Sequence, residues 1–218
     1  MRDMFTVLVA LAAVACSPAN DGGALGEGAL GQAEEMEEAV EARDGPFGFD
    51  MGQSIDEVAG ASKLDTPGFY VVDSAPKAHP DFEAVVLEAY PDTGICMIRG
   101  IGRNIVGDGA GSAIRSKVDS LAKALETKYG EPEKGDVCIA NRIKCNPDFW
   151  MMTLDDNERM YGFRWSKQNE QMSSADIGLL GVQAKAANIQ DTYPLLEFQS
   201  SNTKTCEAAR NASSADAL

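Results

Sequence analysis

Histidine is almost absent: His79 is the only one in 218 residues. A Ser-His-Asp nucleophile would have to use it, yet no G-x-S-x-G turn supplies the serine. His79 stands in Ala78-His79-Pro80 and reads as a surface residue of a turn. Metal chemistry is equally short of ligands. There are five cysteines, none in a C-x-x-C pair, so zinc spacing is missing and no metal or cofactor is expected. Positive charge is scarce: 19 Lys and Arg face 34 Asp and Glu, a formal net charge of −15. Such a balance works against binding nucleic acid or anionic lipid directly, because both demand basic patches. It suits a solvated acidic surface and leaves a basic partner as an option. Long apolar runs are also lacking. Met4–Ala15 spans 12 residues, against about 20 for a membrane-crossing helix.

That run instead suits the apolar core of a secretory signal covering residues 1–15. Small residues follow it, Ala13-Val14-Ala15, and then Cys16. A small residue directly before a cysteine resembles the bacterial lipobox. The resemblance implies that the Cys16 thiol carries diacylglycerol, that palmitate-type chains anchor the protein in a membrane, and that Cys16 is the first mature residue. Ser17 after the cysteine resembles an outer-membrane address. Ala13-Val14-Ala15 also satisfies the A-x-A rule of ordinary signal peptidase, so plain secretion is the alternative.

Residues 16–45 read as an acidic, low-complexity tether. Gly23-Ala-Leu-Gly-Glu is echoed by Gly28-Ala-Leu-Gly-Gln, and Glu34-Glu35-Met36-Glu37-Glu38 follows. From Ser17 to Gly45 eight carboxylates meet one arginine, a charge of −7. So little apolar surface does not offset the entropy of ordering a chain. A single domain is expected over 46–206, followed by a flexible tail, 207–218.

Within the domain, Phe47-Gly48-Phe49 reads as a short strand. Ser54 and Glu57 form a capping box at the start of a short helix, Ile55–Ala59. Strands are predicted at Phe69–Asp73 and Phe82–Tyr90. A Pro91–Gly94 turn leads from the latter into a return strand, Ile95–Ile101. Ile114, Val118, Leu121, Leu125 and Tyr129 fall on one face of a long helix, 113–129, with Ser112 as its cap. A second hairpin is predicted from Phe149–Leu154 and Arg159–Trp165 around Asp155-Asp156-Asn157. A third strand pair follows, Ile177–Ala186 with Tyr193–Gln199. The class is α+β: an antiparallel sheet of hairpins, with one long helix and a short N-terminal helix packed on one face.

Other motifs carry little chemistry. Gly107-Asp-Gly-Ala-Gly-Ser112 precedes a helix, as phosphate-binding turns do, but matches neither glycine-rich signature, and Asp108 would repel an anion. Asp155–Glu158 lacks the ligand spacing of a calcium loop. No carboxylate pair stands out for glycoside hydrolysis. Asn211-Ala212-Ser213 matches a glycosylation sequon and reads as incidental.

With Cys16 set aside, four cysteines remain, an even number that suits disulfides in an exported protein. Three connectivities are open. Only six residues separate Cys138 from Cys145, which favours a local bridge and leaves Cys96 for Cys206; Cys96 linked to Cys138 or Cys145 is the alternative. Trp150, Met152, Tyr161, Phe163 and Trp165 form the richest apolar cluster. They fit core packing across a hairpin, or a partner surface if one face stays exposed.

The segments Gly45-Pro-Phe-Gly-Phe-Asp-Met-Gly52, Thr93–Ile98, Tyr129-Gly-Glu-Pro132, Trp150–Leu154 with Glu158-Arg159 and Trp165, and Leu196-Glu-Phe198 with Cys206 are similar to a family of uncharacterised bacterial exported proteins. The likeness covers nearly all of 45–218 and implies cysteines matching Cys96 and Cys206, with Cys138 and Cys145 as an addition. The opening F-G-F-x-M-G-x-S step, over about 15 residues, also resembles small envelope lipoproteins of the β-barrel-assembly or β-lactamase-inhibitor type. These features lead to a non-enzymatic envelope lipoprotein that binds a protein partner. An inhibitor or immunity-type protein is the second reading, and a carboxylate-dependent hydrolase the third.

Overall fold

The computed structural model describes residues 43–215. The expected signal, Cys16 and the expected tether as far as residue 42 lie outside the described residues, as do 216–218. The described residues form an α+β domain around one antiparallel sheet. Its strands are β1 (Ala61–Lys63), β2 (Phe69–Val72), β3 (Phe82–Tyr90), β4 (Gly94–Gly102), β5 (Ile105–Val106), β6 (Glu133–Cys138), β7 (Arg159–Trp165), β8 (Ile177–Ala186) and β9 (Asp191–Ser200). They run in the order β1-β2-β3-β4-β9-β8-β7-β6, and β5 pairs with β9 beyond the end of β4. The last strand in sequence therefore lies at the centre. No helix among the described residues is long and apolar enough to cross a membrane.

Strand register assigns each side chain to a face, because the side-chain period is two. Leu87, Ile98, Phe198, Leu180 and Trp165 align across five strands, as do Val85, Gly100, Leu196, Val182 and Phe163. These make the covered face. Helix α1 (Ser112–Tyr129) lays Ile114, Val118, Leu121 and Tyr129 on it. Its last carbonyls are satisfied by side chains: Asn169 Nδ2 donates to Tyr129 O and Trp165 Nε1 to Gly130 O, both at 2.7 Å, which secures a helix end that would otherwise lack partners. At the other end Ser112 N donates to Asp108 Oδ1 at 2.5 Å. Ser112 is thus the first helical residue and not the cap; the N-cap position is Gly111, and the Asp108 carboxylate takes the first helical amide. Gly111 turns the chain with φ +65°, and a Cβ there would lie 2.1 Å from the Trp150 ring.

Several expectations are corrected. Phe47 is not in a strand: Pro46–Gly48 is a 3-10 turn, and the Phe47 ring meets Phe82 edge-on at 5.3 Å in space left by Gly100, where a Cβ would approach it to 2.5 Å. The short helix is a 3-10 turn, Ile55–Glu57, whose cap Ser54 accepts from Asp56 N. Glu57 does not close a capping box; it pairs with Arg43 at 2.6 Å, so ordered contacts begin before Pro46. Phe149–Leu154 is not a strand either. Pro147–Phe149 is a 3-10 turn capped by Asn146, leading into α2 (Trp150–Asp155). Trp150, Met151, Thr153 and Leu154 are buried there at i, i+1, i+3 and i+4, a helical stripe. The hairpin partner of β7 is β6, with Gly135 opposite Gly162 and Val137 opposite Met160. A small helix, α3 (Glu170–Ser174), precedes β8.

The expected flexible tail is largely α4 (Thr203–Ala215), so α1 is not the one long helix. Alanine-rich sequence favours helix, and α4 is docked at two points. Cys206 is bonded to Cys96 of β4 (S–S 2.05 Å), and Arg210 makes a bidentate pair with Glu88 of β3 at 2.7 and 2.9 Å. Glu88 alternates with Leu87, so α4 lies on the face opposite α1. The second disulfide joins Cys138 to Cys145.

Candidate functional site

The aromatic cluster, read as core packing or else as a partner surface, is largely core. Trp150, Tyr161 and Trp165 are 3%, 4% and 2% exposed, and Met152 and Phe163 are half-buried. The reason is register: Tyr161, Phe163 and Trp165 point to the covered face, where Trp150 meets Tyr161 edge-on. The intervening residues, Met160, Gly162 and Arg164, point the other way.

Candidate catalytic groups are occupied. His79 is exposed, and its Nδ1 accepts from Asp81 N at 3.2 Å. Asp108 fills the amino end of α1 with its own carboxylate, which answers the phosphate-loop question. Asp156 and Glu158 pair with Lys144 at 3.1 and 3.0 Å. Lys134 pairs with Asp119 at 3.2 Å, and Tyr161 donates to Asp119 at 2.7 Å. The hydrogen bond with Tyr161, followed by that with Asp119, holds the Lys134 ammonium above its ordinary range. Burial pushes the Tyr161 phenol up as well. Both shifts run opposite to the activation a neutral-pH base needs. No cluster of three metal-ligating side chains occurs among the described residues.

What the fold leaves available is the second face of the sheet. Val86, Arg99, Glu197, Gly181, Arg164 and Glu133 align in one row across six strands. Ile101, Leu195, Gln183, Gly162 and Gly135 align in the next. Arg99 Nε donates to Glu197 Oε2 at 2.6 Å, and Gln199 Nε2 to Glu197 Oε1 at 2.6 Å. The central charges are therefore matched, with aliphatic side chains around them. Toward β6 the face sinks into a hollow of about 360 Å³. Glycines at 135, 162 and 181 give it a floor without side chains, and Met160, Leu179 and Arg164 border it. Beside Arg43 lies a larger hollow of about 510 Å³, but Arg43 there already pairs with Asp50 and Glu57. Away from α4, which covers the Glu88 end of this face, the sheet keeps Val86, Ile101 and Leu179 half-buried and Met160 exposed.

The face continues past Val137 and Met160, both well exposed, into the loop closed by Cys138–Cys145. That loop is held from inside. Arg159 reaches Cys145 O at 3.2 Å while pairing with Asp136 and donating to Thr153 Oγ1. Ile139 N donates to Glu158 O at 2.8 Å. Asn141 Oδ1 accepts from the amides of Ile143 and Lys144, each at 3.0 Å. Hydrogen bonds to Glu158 and Asp156 keep the Lys144 ammonium above its usual range. Outward it presents Ile139, 78% exposed, and Ile143, 76% exposed. Sequence reasoning missed this surface, although its signal was there: two isoleucines inside a polar segment between cysteines, and small or polar residues alternating with the aromatics of β7.

The two disulfides place the domain in an oxidising, extracytoplasmic compartment. Compared with known proteins, the chain matches no protein family, no curated protein and no solved structure.

Proposed function

We propose that this chain is a lipid-anchored protein of the bacterial envelope, held through Cys16 at the outer membrane, whose domain binds a protein partner through the open face of its sheet. One observation carries the binding reading. A sheet face bearing half-buried Val86, Ile101 and Leu179 and exposed Met160 around a satisfied Arg99–Glu197 pair carries α4 only at its β3–β4 end, while α1, α2 and α3 all pack on the other side. Contiguous apolar surface with a few matched polar groups is characteristic of protein interfaces. The anchor rests on the signal, the lipobox-like Ala15-Cys16 and the acidic segment after it. An inhibitor-type role is the special case in which the partner is an enzyme whose site this face covers. The charge of −15 favours a basic enzyme there.

Site-specific photo-crosslinking in intact cells tests the reading. A crosslinker at Ile101, Leu179 or Met160 is expected to yield a defined adduct with a protein, while one at Ser120 or Lys123 on the outer side of α1 yields none. Equal adducts from both sides, or none from the open face across growth conditions, would overturn it.

A further inference from the structure

From the geometry of the Cys138–Cys145 loop we infer that it is the anchor of the interface, inserting Ile139 and Ile143 into an apolar pocket edged by carboxylates on the partner protein. The inference rests on the protein-binding reading above and adds the partner's chemistry. Its first support is the loop's construction. A disulfide, the Arg159 guanidinium and two ion pairs from Lys144 hold a turn whose outward side chains include two branched aliphatic groups. Fixing a loop before binding removes the ordering cost that otherwise weakens an interface. Isoleucines presented rigidly at more than three-quarters exposure are suited to fill a preformed pocket.

The second support is charge. From Val137 to Pro147 there is no carboxylate, in a chain of net charge −15. Lys144 is spent on Asp156 and Glu158. Arg142, between the isoleucines, is exposed and makes no ion pair among the described residues. The tip thus offers two apolar groups and one outward cation, and its complement is an apolar pocket with acidic edges. A lipid surface fits less well, because anionic headgroups would repel the rest of so acidic a chain.

Panning a phage-displayed random peptide library on the disulfide-bonded chain tests the assignment. Enriched peptides are expected to combine large apolar residues with Asp or Glu. They should lose at least tenfold in affinity for Arg142→Glu and for the Ile139→Ser/Ile143→Ser double variant. Replacing the peptide's acidic residues by lysine should restore binding to Arg142→Glu. An unchanged thermal midpoint of the variants would show that folding is not the cause. The assignment is overturned if enriched peptides bind the loop variants as tightly as the parent, or if no peptide is enriched. It is also overturned if vesicles of phosphatidylethanolamine and phosphatidylglycerol sediment with the parent chain but not with the double variant. If Leu179→Asp abolishes peptide binding and the loop variants do not, the loop assignment falls while the binding face stands.

Discussion

Glu88 is a carboxylate with no exposed surface, held by the Arg210 guanidinium and by the Tyr90 hydroxyl at 2.8 Å. Removing the guanidinium leaves a buried charge unpaired. Arg210→Met should cost about 3 kcal/mol, the low end for a broken buried pair, because the arginine is partly exposed. Adding Glu88→Gln should recover most of the loss, as chemical unfolding of both variants would show. Tyr90 adds a pH signature. Burial, followed by the bond to Glu88, pushes its phenol up to about 12 from 10.0. The folded state then holds that proton more tightly than the unfolded chain does. The contribution is fully present below about pH 10 and is lost as pH rises through about 12. The difference in stability between the parent and Tyr90→Phe, followed by pH titration, should fall across that window. Burial also separates two hydrophobic residues that look alike in sequence. Trp150→Ala should cost about 3–5 kcal/mol, whereas Met160→Ser on the open face should shift stability by no more than about 0.5 kcal/mol. Neither fate was legible from the residues alone, because Trp150 and Met160 are both large and apolar and only register and helix placement distinguish them.

Elements with a clean period were legible. The i, i+3, i+4 pattern of α1 and the β-branched runs of β3, β4, β8 and β9 emerged within a residue or two of their observed limits. Where the period was short or mixed, the reading failed. Met and aromatic residues over 149–154 suit a strand by propensity, but Asn146 and Pro147 start a helix and the buried stripe is helical. Strand β6, Glu-Lys-Gly-Asp-Val-Cys, has charges and a glycine where a strand is expected to alternate. Helix α4 has almost no apolar face because a disulfide and an ion pair replace one. Its dependence on the covalent link is measurable. In the chain-entropy model, the Cys96–Cys206 bridge, spanning a separation of 110 residues, is worth about 4–5 kcal/mol, against about 2.5 kcal/mol for the short Cys138–Cys145 loop. Cys96→Ser/Cys206→Ser should therefore be the more destabilising pair. Hydrogen exchange should then show α4 losing protection before β3 or β4.

At the scale of the molecule, the sheet is two sets of antiparallel strands, β1-β2-β3-β4 and β8-β7-β6, joined only where β9 pairs with β4 on one side and β8 on the other. A chain ending at Gln190 should lack protease protection throughout β3, β4 and β8, because their open edges and the aliphatic layer have no closing strand; limited proteolysis of the truncated and full chains compares them directly. The α+β class and the antiparallel arrangement were legible from the run of hairpins. The central place of β9 was not, since sequence order says nothing about which non-adjacent strands meet. That placement has a temporal consequence. Because β9 follows in sequence every strand it joins, the sheet cannot close until Asp191–Ser200 has been synthesised, and pairings of high sequence separation form slowly even then. The order of the strands along the chain thus builds a delay into folding, of use to a domain that must thread a narrow channel to reach an oxidising compartment before it locks.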